Sequence, residues 1–184
     1  MLKTRVTCIR HGHAIDGIVD KLRPLSTKGR LQAKQRALHL KTQPRFDLII
    51  TSSAARAIET TQIIADEIKT SALIIEIDEL YQPPNLDDRE IVNELLEKLG
   101  AVPLKIYNNH DIQGVWDRYS SSAFNAVHAA IERQSSKKVL VVAHGNIINS
   151  IGLQFSKNVC DLNDIYFNYC EGFETYEDRC IFLS

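Results

Sequence analysis

Three places in the sequence put reactive side chains where a strand should end. Arg10-His11-Gly12 follows the alternating run Lys3 to Ile9. Thr51-Ser52-Ser53 closes the run Phe46 to Ile50, with Arg56 one helical turn further on. His144-Gly145 closes the nearly all-apolar run Val139 to Ala143. Helices opening after Ser53 and Gly145 would aim free N–H groups and partial positive charge at the same edge. Two histidines, two arginines and two helix N-termini converging on one crevice describe an anion site. Phosphate fits it, because Arg offers that anion bidentate, charge-assisted hydrogen bonds.

These groups can converge only if the elements carrying them lie side by side. A helix capped by Ser26 or Thr27 is expected to run to about Thr42. A second is expected from about Ala54 to Lys69, with Ala57, Ile58, Thr61, Ile64, Ala65 and Ile68 on its buried stripe. Leu73 to Ile77 reads as a third strand, followed by an irregular Pro83-Pro84-Asn85 segment. Asp87 with Glu90 suggests a capping box for a helix carrying Ile91, Val92, Leu95, Leu96 and Leu99, which Gly100 and Pro103 end. Phe124, Val127, His128 and Ile131 mark another amphipathic helix, with His128 on its apolar stripe as a core histidine. The tail, rich in Tyr, Phe and Cys, reads as short strands at a sheet edge. Alternating strands and helices predict an α/β fold: a three-layer sandwich with a mostly parallel central sheet flanked by helices. In such sheets ligands bind beyond the carboxyl ends of the strands, where the three reactive segments lie.

Composition narrows the classes. The chain has 184 residues, 44% hydrophobic and 24% charged, and no internal repeat, so one domain spanning residues 1–184 is expected. Twenty-two Lys and Arg against twenty-three Asp and Glu leave a charge of −1. That balance argues against a dedicated nucleic-acid or membrane-surface binder, which usually carries a basic excess. No apolar run approaches the ~18 residues needed to cross a bilayer. No secretory signal is read at the N-terminus, and a cytoplasmic location is expected. Cys8, Cys160, Cys170 and Cys180 form no Cys-x-x-Cys pair and read as free thiols without a function. The Asp161, Asp164, Glu171, Glu174, Glu177 and Asp178 cluster reads as a solvated acidic face, and Trp116 as packing.

The motifs resemble those of the histidine phosphatase superfamily, which includes the phosphoglycerate mutases. Arg10-His11-Gly12 after a first strand is that family's signature. Arg23-Pro24-Leu25-Ser26 with Gly29 and Gln32-Ala33, the block Thr51 to Thr60 containing Arg56, and Val141-Val142-Ala143-His144-Gly145 follow in the family's order and spacing. The resemblance implies a phosphoglycerate mutase-like fold and a metal-independent phosphatase with no cofactor. Its His11 is the nucleophile and passes through a phosphohistidine intermediate. Arg10, Arg56 and a charged His144 would keep His11 neutral and stabilise the phosphoryl group, with Gly145, Asn146 and His13 as further phosphate contacts. The family's proton donor follows its third strand; Glu79 matches best, with Asp78, Asp87 and Asp88 as competitors. His13 either binds a substrate phosphate or lines the pocket, and Asp16 lies in the same variable loop. The substrate would be a phosphorylated small molecule or a phosphoprotein.

Three other readings compete. Mutases share the catalytic blocks but are longer and carry an Asn-rich loop after the nucleophile, where this chain has His13-Ala14-Ile15-Asp16-Gly17. His11-Gly12-His13 also resembles the opening of metal-dependent amidohydrolases, whose barrel needs ~250 residues. A catalytically weak phospho-binding module would keep the anion pocket without an effective acid.

Overall fold

The computed structural model describes residues 4–111, 113–155, 161–177 and 179–184. Its centre is a six-stranded sheet in the order β3-β2-β4-β1-β5-β6. Strands β1 (Arg5–Arg10), β2 (Leu48–Ser52), β3 (Leu73–Ile77) and β4 (Lys138–Ala143) run parallel. Strands β5 (Gly172–Tyr176) and β6 (Arg179–Leu183) extend the sheet antiparallel beyond β1. Both faces of β4 are covered, and all six of its residues are buried, as its apolar composition requires.

The period-2 alternation of the central strands sorts their side chains between two cores. Val6 and Cys8, Leu48 and Ile50, and Val139 and Val141 face one core, built with α3 (Leu86–Leu99), α4 (Leu104–His110), α5 (Val115–Gln134) and α6 (Gly145–Phe155). Ile9, Ile49, Leu140 and Val142 face the other, covered by α1 (Thr27–Leu40) and α2 (Ala55–Ile68). Three layers result, as the sequence predicts. Register then fixes the site: Arg10 pairs with Ala143, so the residues that follow, His11 and His144, leave adjacent strands side by side.

Several boundaries and environments depart from expectation. The box Asp87–Glu90 does not open α3; Asn85 is its N-cap, and its side chain accepts from the N–H groups of Asp87 and Asp88. A capping carbonyl one residue before the helix takes the donors a box would have used. Helix α4 was not foreseen, because seven residues are too few for a periodic signal. His128 is exposed, 4.0 Å from Glu132, and does not enter the core. Glu174 is buried and is no part of a solvated face: it accepts from Arg5 at 2.8 Å and from Thr7 at 3.0 Å. Cys8 and Cys170 are free and buried, whereas Cys180 is disulfide-bonded, against the expectation of free thiols. Cys160 and Asp178 lie outside the described residues.

The loop after β1 passes so close to the start of α1 that only glycine fits there. A Cβ on Gly12 would stand 2.6 Å from the Gly29 carbonyl oxygen, and one on Gly29 would collide with the His13 carbonyl. Ser26 caps α1 by accepting from Gly29 N at 3.1 Å, and its own N–H donates to the His13 carbonyl at 2.8 Å. Gly29→Ala should therefore cost about 1–3 kcal/mol in denaturant unfolding. Because the displaced segment carries His11, the same variant should lose activity; a Gly29→Ala protein of unchanged stability would contradict this packing.

Candidate active site

The carboxyl edge of the parallel strands opens into a cavity of about 640 Å³. Arg10, His11, Arg56, His144, Gly145 and Asn146 all line it, so six of the eight residues singled out from sequence are brought together. His13 and Glu79 are not on its wall. His13 is turned to Ser26, with Nδ1 2.8 Å from that hydroxyl, and packs edge-on against Tyr169. Glu79 sits partly buried on the 3₁₀ turn Asp78–Leu80. Its neighbour Asp78 is taken up by Lys21 at 2.7 Å, Ser53 and Gln82.

His11 is buried, with its ring 4.9 Å from that of His144. Its Nδ1 lies 2.7 Å from the Gly12 carbonyl, and Arg56 Nε donates to its Nε2 at 3.2 Å. A carbonyl can only accept and a guanidinium can only donate, so the proton is on Nδ1 and Nε2 keeps a lone pair. The same argument fixes His144. Arg56 Nη2 donates to its Nδ1 at 3.4 Å, leaving Nε2–H to donate to the Ser52 hydroxyl at 2.8 Å.

Electrostatics agrees with these tautomers. Burial, followed by the Arg56 guanidinium, pushes the His11 imidazole down from 6.5 to about 3, and Arg10 adds to the effect. Burial also holds His144 well below its ordinary value, assisted by His11, Arg56 and Arg10. His144 is thus neutral in the free protein, since a charged ring would share a buried pocket with two guanidinium groups. The two free thiols are not rival nucleophiles. Burial pushes the Cys8 thiol far up, and pushes Cys170 up to about 12.

The arginines are held from behind. Arg10 is sandwiched between the rings of Tyr166 and Tyr169, at 4.8 and 4.0 Å, and its Nη1 donates to the Phe167 carbonyl at 2.9 Å. Its Nε is buried without a partner. An orphaned buried donor is costly. Arg56 is the first-turn residue of α2. It is tied to Asp20 through that residue's carbonyl at 2.7 Å and carboxylate at 2.9 Å. Thr60 closes the turn: its hydroxyl donates to the Arg56 carbonyl at 2.7 Å and accepts from Gly12 N at 3.0 Å. Glu59 receives Leu25 N at 2.8 Å and Arg30 at 2.6 Å, tying the first loop to α2.

Asp20, Tyr166 and Tyr169 are the site residues that the sequence reading did not single out. Asp20 lies on a 3₁₀ turn (Asp20–Leu22), and the tyrosines lie in the coil before β5, so neither carries a periodic signal. Burial raises the Asp20 carboxyl, but Arg56 and Arg23 outweigh it and hold the group below its ordinary value as a carboxylate. Among the described residues, no cluster of three or more His, Cys, Asp or Glu side chains forms a metal-binding constellation, and His11 and His13 turn to different partners.

Neutral buried histidines make stability depend on pH in a definite direction. Below pH 6.5 the unfolded chain protonates His11 and His144 while the folded chain resists, the former down to about pH 3. Stability contributed by these groups is present above pH 6.5 and falls as pH drops, by about 1.4 kcal/mol per pH unit for each group. His144→Asn should remove one such increment from the slope of unfolding free energy between pH 6 and pH 4. An unchanged slope would show that His144 is protonated in the native state.

The chain's relatives share this architecture. The family model described as histidine phosphatase superfamily (branch 1) matches residues 6–161. No protein of curated function matches in sequence. Among solved structures, the protein histidine phosphatase SixA complexed with tungstate superposes with a TM-score of 0.60 at 19% identity, over 98% of this chain and 95% of that one. Phosphoglycerate mutase from Bacillus anthracis str. Sterne gives 0.66 at 18%, over 98% and 92%. The alpha-ribazole phosphatase from Shigella flexneri gives 0.64 at 17%, over 98% and 95%. At such identities the structures establish a phosphoglycerate mutase-like fold. Together with the motif-bearing segments, which the family model spans from β1 past α6, they leave one assignment: the chain belongs to branch 1 of the histidine phosphatase superfamily.

Proposed function

We propose that the protein is a phosphatase that hydrolyses phosphomonoesters through a phosphohistidine on Nε2 of His11. The observation that carries this reading is the unprotonated Nε2 of a neutral imidazole, held inside a cavity that Arg10, Arg56 and the N-terminus of α6 also line. In the first step Nε2 forms a bond to phosphorus while the bond to the leaving oxygen breaks, and that oxygen takes up a proton. In the second step water attacks phosphorus, the N–P bond breaks and its electron pair returns to Nε2. Arg10, Arg56 and the N–H groups of Gly145 and Asn146, at the N-terminus of α6, would neutralise the phosphoryl oxygens. These groups supply the positive charge that a metal supplies in other phosphatases.

The proton donor has two candidates. Resemblance assigns Glu79. Geometry favours Asp20, a carboxylate on the cavity wall that accepts from Arg56 at 2.9 Å and from the Tyr81 hydroxyl at 3.2 Å. Asp20 is ionised in the free protein, so it is equipped first to relieve the attacking water of its proton. Phosphate binding, by drawing Arg56 away, would favour its protonated form. Mutase chemistry is less well served. A phosphoglycerate brings a carboxylate as well as a phosphate, and the remaining cation on the wall, Arg23, already pairs with Asp16 at 3.0 Å and Asp20 at 2.9 Å.

Hydrolysis of a generic phosphomonoester in excess chelator should proceed at the rate seen without it and should vanish in His11→Ala. Quenching in alkaline denaturant during turnover of labelled substrate should leave base-stable, acid-labile label on wild type and none on that variant. Asp20→Asn should lower kcat by ~100-fold and Glu79→Gln by less than threefold; the opposite order assigns the proton to Glu79. Loss of turnover in chelator would overturn the metal-independent mechanism. Phosphate binding with no turnover of any ester would reduce the protein to a phospho-binding module.

A further inference from the structure

Arg36 is a buried guanidinium to which the reaction proposed above assigns no part. It lies on α1, off the cavity wall. Both of its partners among the described residues are main-chain carbonyls: Nε donates to Cys170 at 2.6 Å and Nη2 to Leu183 at 3.2 Å. A charge taken out of water and offset only by carbonyls contributes little net stability. What it does supply is a fixed position for those carbonyls.

The Cys170 carbonyl is a sensitive point to hold. Cys170 has a φ of 60°, in the left-handed region that a residue with a side chain enters at a cost. It sits in a tight turn: the Glu171 N–H donates to the Asn168 carbonyl at 3.1 Å, and the Glu171 carboxylate accepts from the Asn168 N–H at 2.9 Å. Arg36 therefore grips the carbonyl of a peptide unit whose N–H the turn already holds. The turn is also pinned to β1 around one residue. The Cys170 N–H donates to the Arg10 carbonyl at 3.0 Å, and the Arg10 N–H donates to the Glu171 carbonyl at 2.9 Å. Tyr169, the remaining turn residue, is partly exposed on the cavity wall, as Arg10 is, and its ring centroid lies 4.0 Å from the Arg10 guanidinium. The sheet fixes the main chain of Arg10; the turn adds the ring against its side chain.

We propose that Arg36 is a positioning residue for phosphate binding: through the Cys170 carbonyl it fixes the turn that lays the Tyr169 ring against Arg10, and so holds that guanidinium on the cavity wall. This rests on the phosphatase reading for Arg10 as a phosphate ligand and adds a residue outside the cavity to its support. Binding of inorganic phosphate, followed by calorimetry, tests it through a double-mutant cycle. Arg36→Met and Tyr169→Leu should each weaken phosphate binding by about 10-fold, and Arg10→Met by at least as much. Added to Arg10→Met, either should cost less than about twofold, because the group it positions is gone. A general structural role predicts the same loss in both backgrounds, and that result overturns the proposal. If Arg36→Met fails to fold, Tyr169→Leu decides: a loss confined to the protein with Arg10 intact supports the proposal, and wild-type phosphate affinity overturns it. Turnover of a generic phosphomonoester is measured alongside. Wild-type turnover with undiminished phosphate affinity in Arg36→Met refutes this inference and leaves the phosphatase reading standing. The expected cycle in a protein that turns over no ester does the reverse.

Discussion

A buried guanidinium facing two imidazoles makes the protonation of either one expensive, and the rest of the site is arranged around that constraint. Arg56 donates to His11 Nε2 and, through a second nitrogen, to His144 Nδ1. Like charges in a low-dielectric pocket repel strongly, so both rings are neutral and both tautomers are dictated. A nucleophile needs such a lone pair. In the proposed reaction the same guanidinium would face the phosphoryl oxygens, so one residue would set both the reactivity of the attacking atom and the affinity for its target. Asp20 balances the charge of Arg56 while the site is empty, and the Tyr166–Tyr169 sandwich does the corresponding work for Arg10 with ring faces in place of a carboxylate.

The fold supplies this arrangement through register. Parallel pairing of β1 with β4 aligns Arg10 with Ala143, and the His11 N–H continues the ladder to the Ala143 carbonyl at 2.9 Å. Pairing of β2 with β4 brings Ser52 to the other side of His144, where its hydroxyl fixes the ring. Helices α2 and α6 begin immediately beyond two of these strands and present unpaired N–H groups to the same space. The two apolar cores hold the strands in place, and the close approach of Gly12 to Gly29 holds the loop that the nucleophile opens.

How much of this was legible in the sequence follows from where each residue sits. Arg10, His11, Arg56 and His144 stand at the ends of strands or in the first turn of a helix, positions that periodicity exposes and topology then gathers. Asp20, Tyr166 and Tyr169 come from irregular segments, whose path depends on tertiary contacts with no period of their own. Resemblance points to Glu79 as the carboxylate after the third strand, and His13 is singled out by its place in the loop after the nucleophile. The wall residues of these segments are Tyr81, two positions after Glu79, and Ala14, one after His13. Asp87–Glu90 had the composition of a capping box, but Asn85 reached the helix first. Glu174 looked like one member of a solvated cluster, yet its position on β5, opposite Arg5 and Thr7, draws it inside. Trp116 reads as packing from sequence and does pack, 3% exposed between Tyr107 and Tyr119.

The neutrality of the paired histidines is the claim on which the mechanism stands, and nitrogen NMR of the imidazole rings reads it directly. Spectra recorded from pH 8 to pH 5 on the unliganded protein should show His11 as the Nδ1–H tautomer and His144 as the Nε2–H tautomer, both unchanged across the range. An imidazolium signal from His11 titrating near its ordinary value of 6.5 would contradict the account, because Arg56 would then not govern the nucleophile.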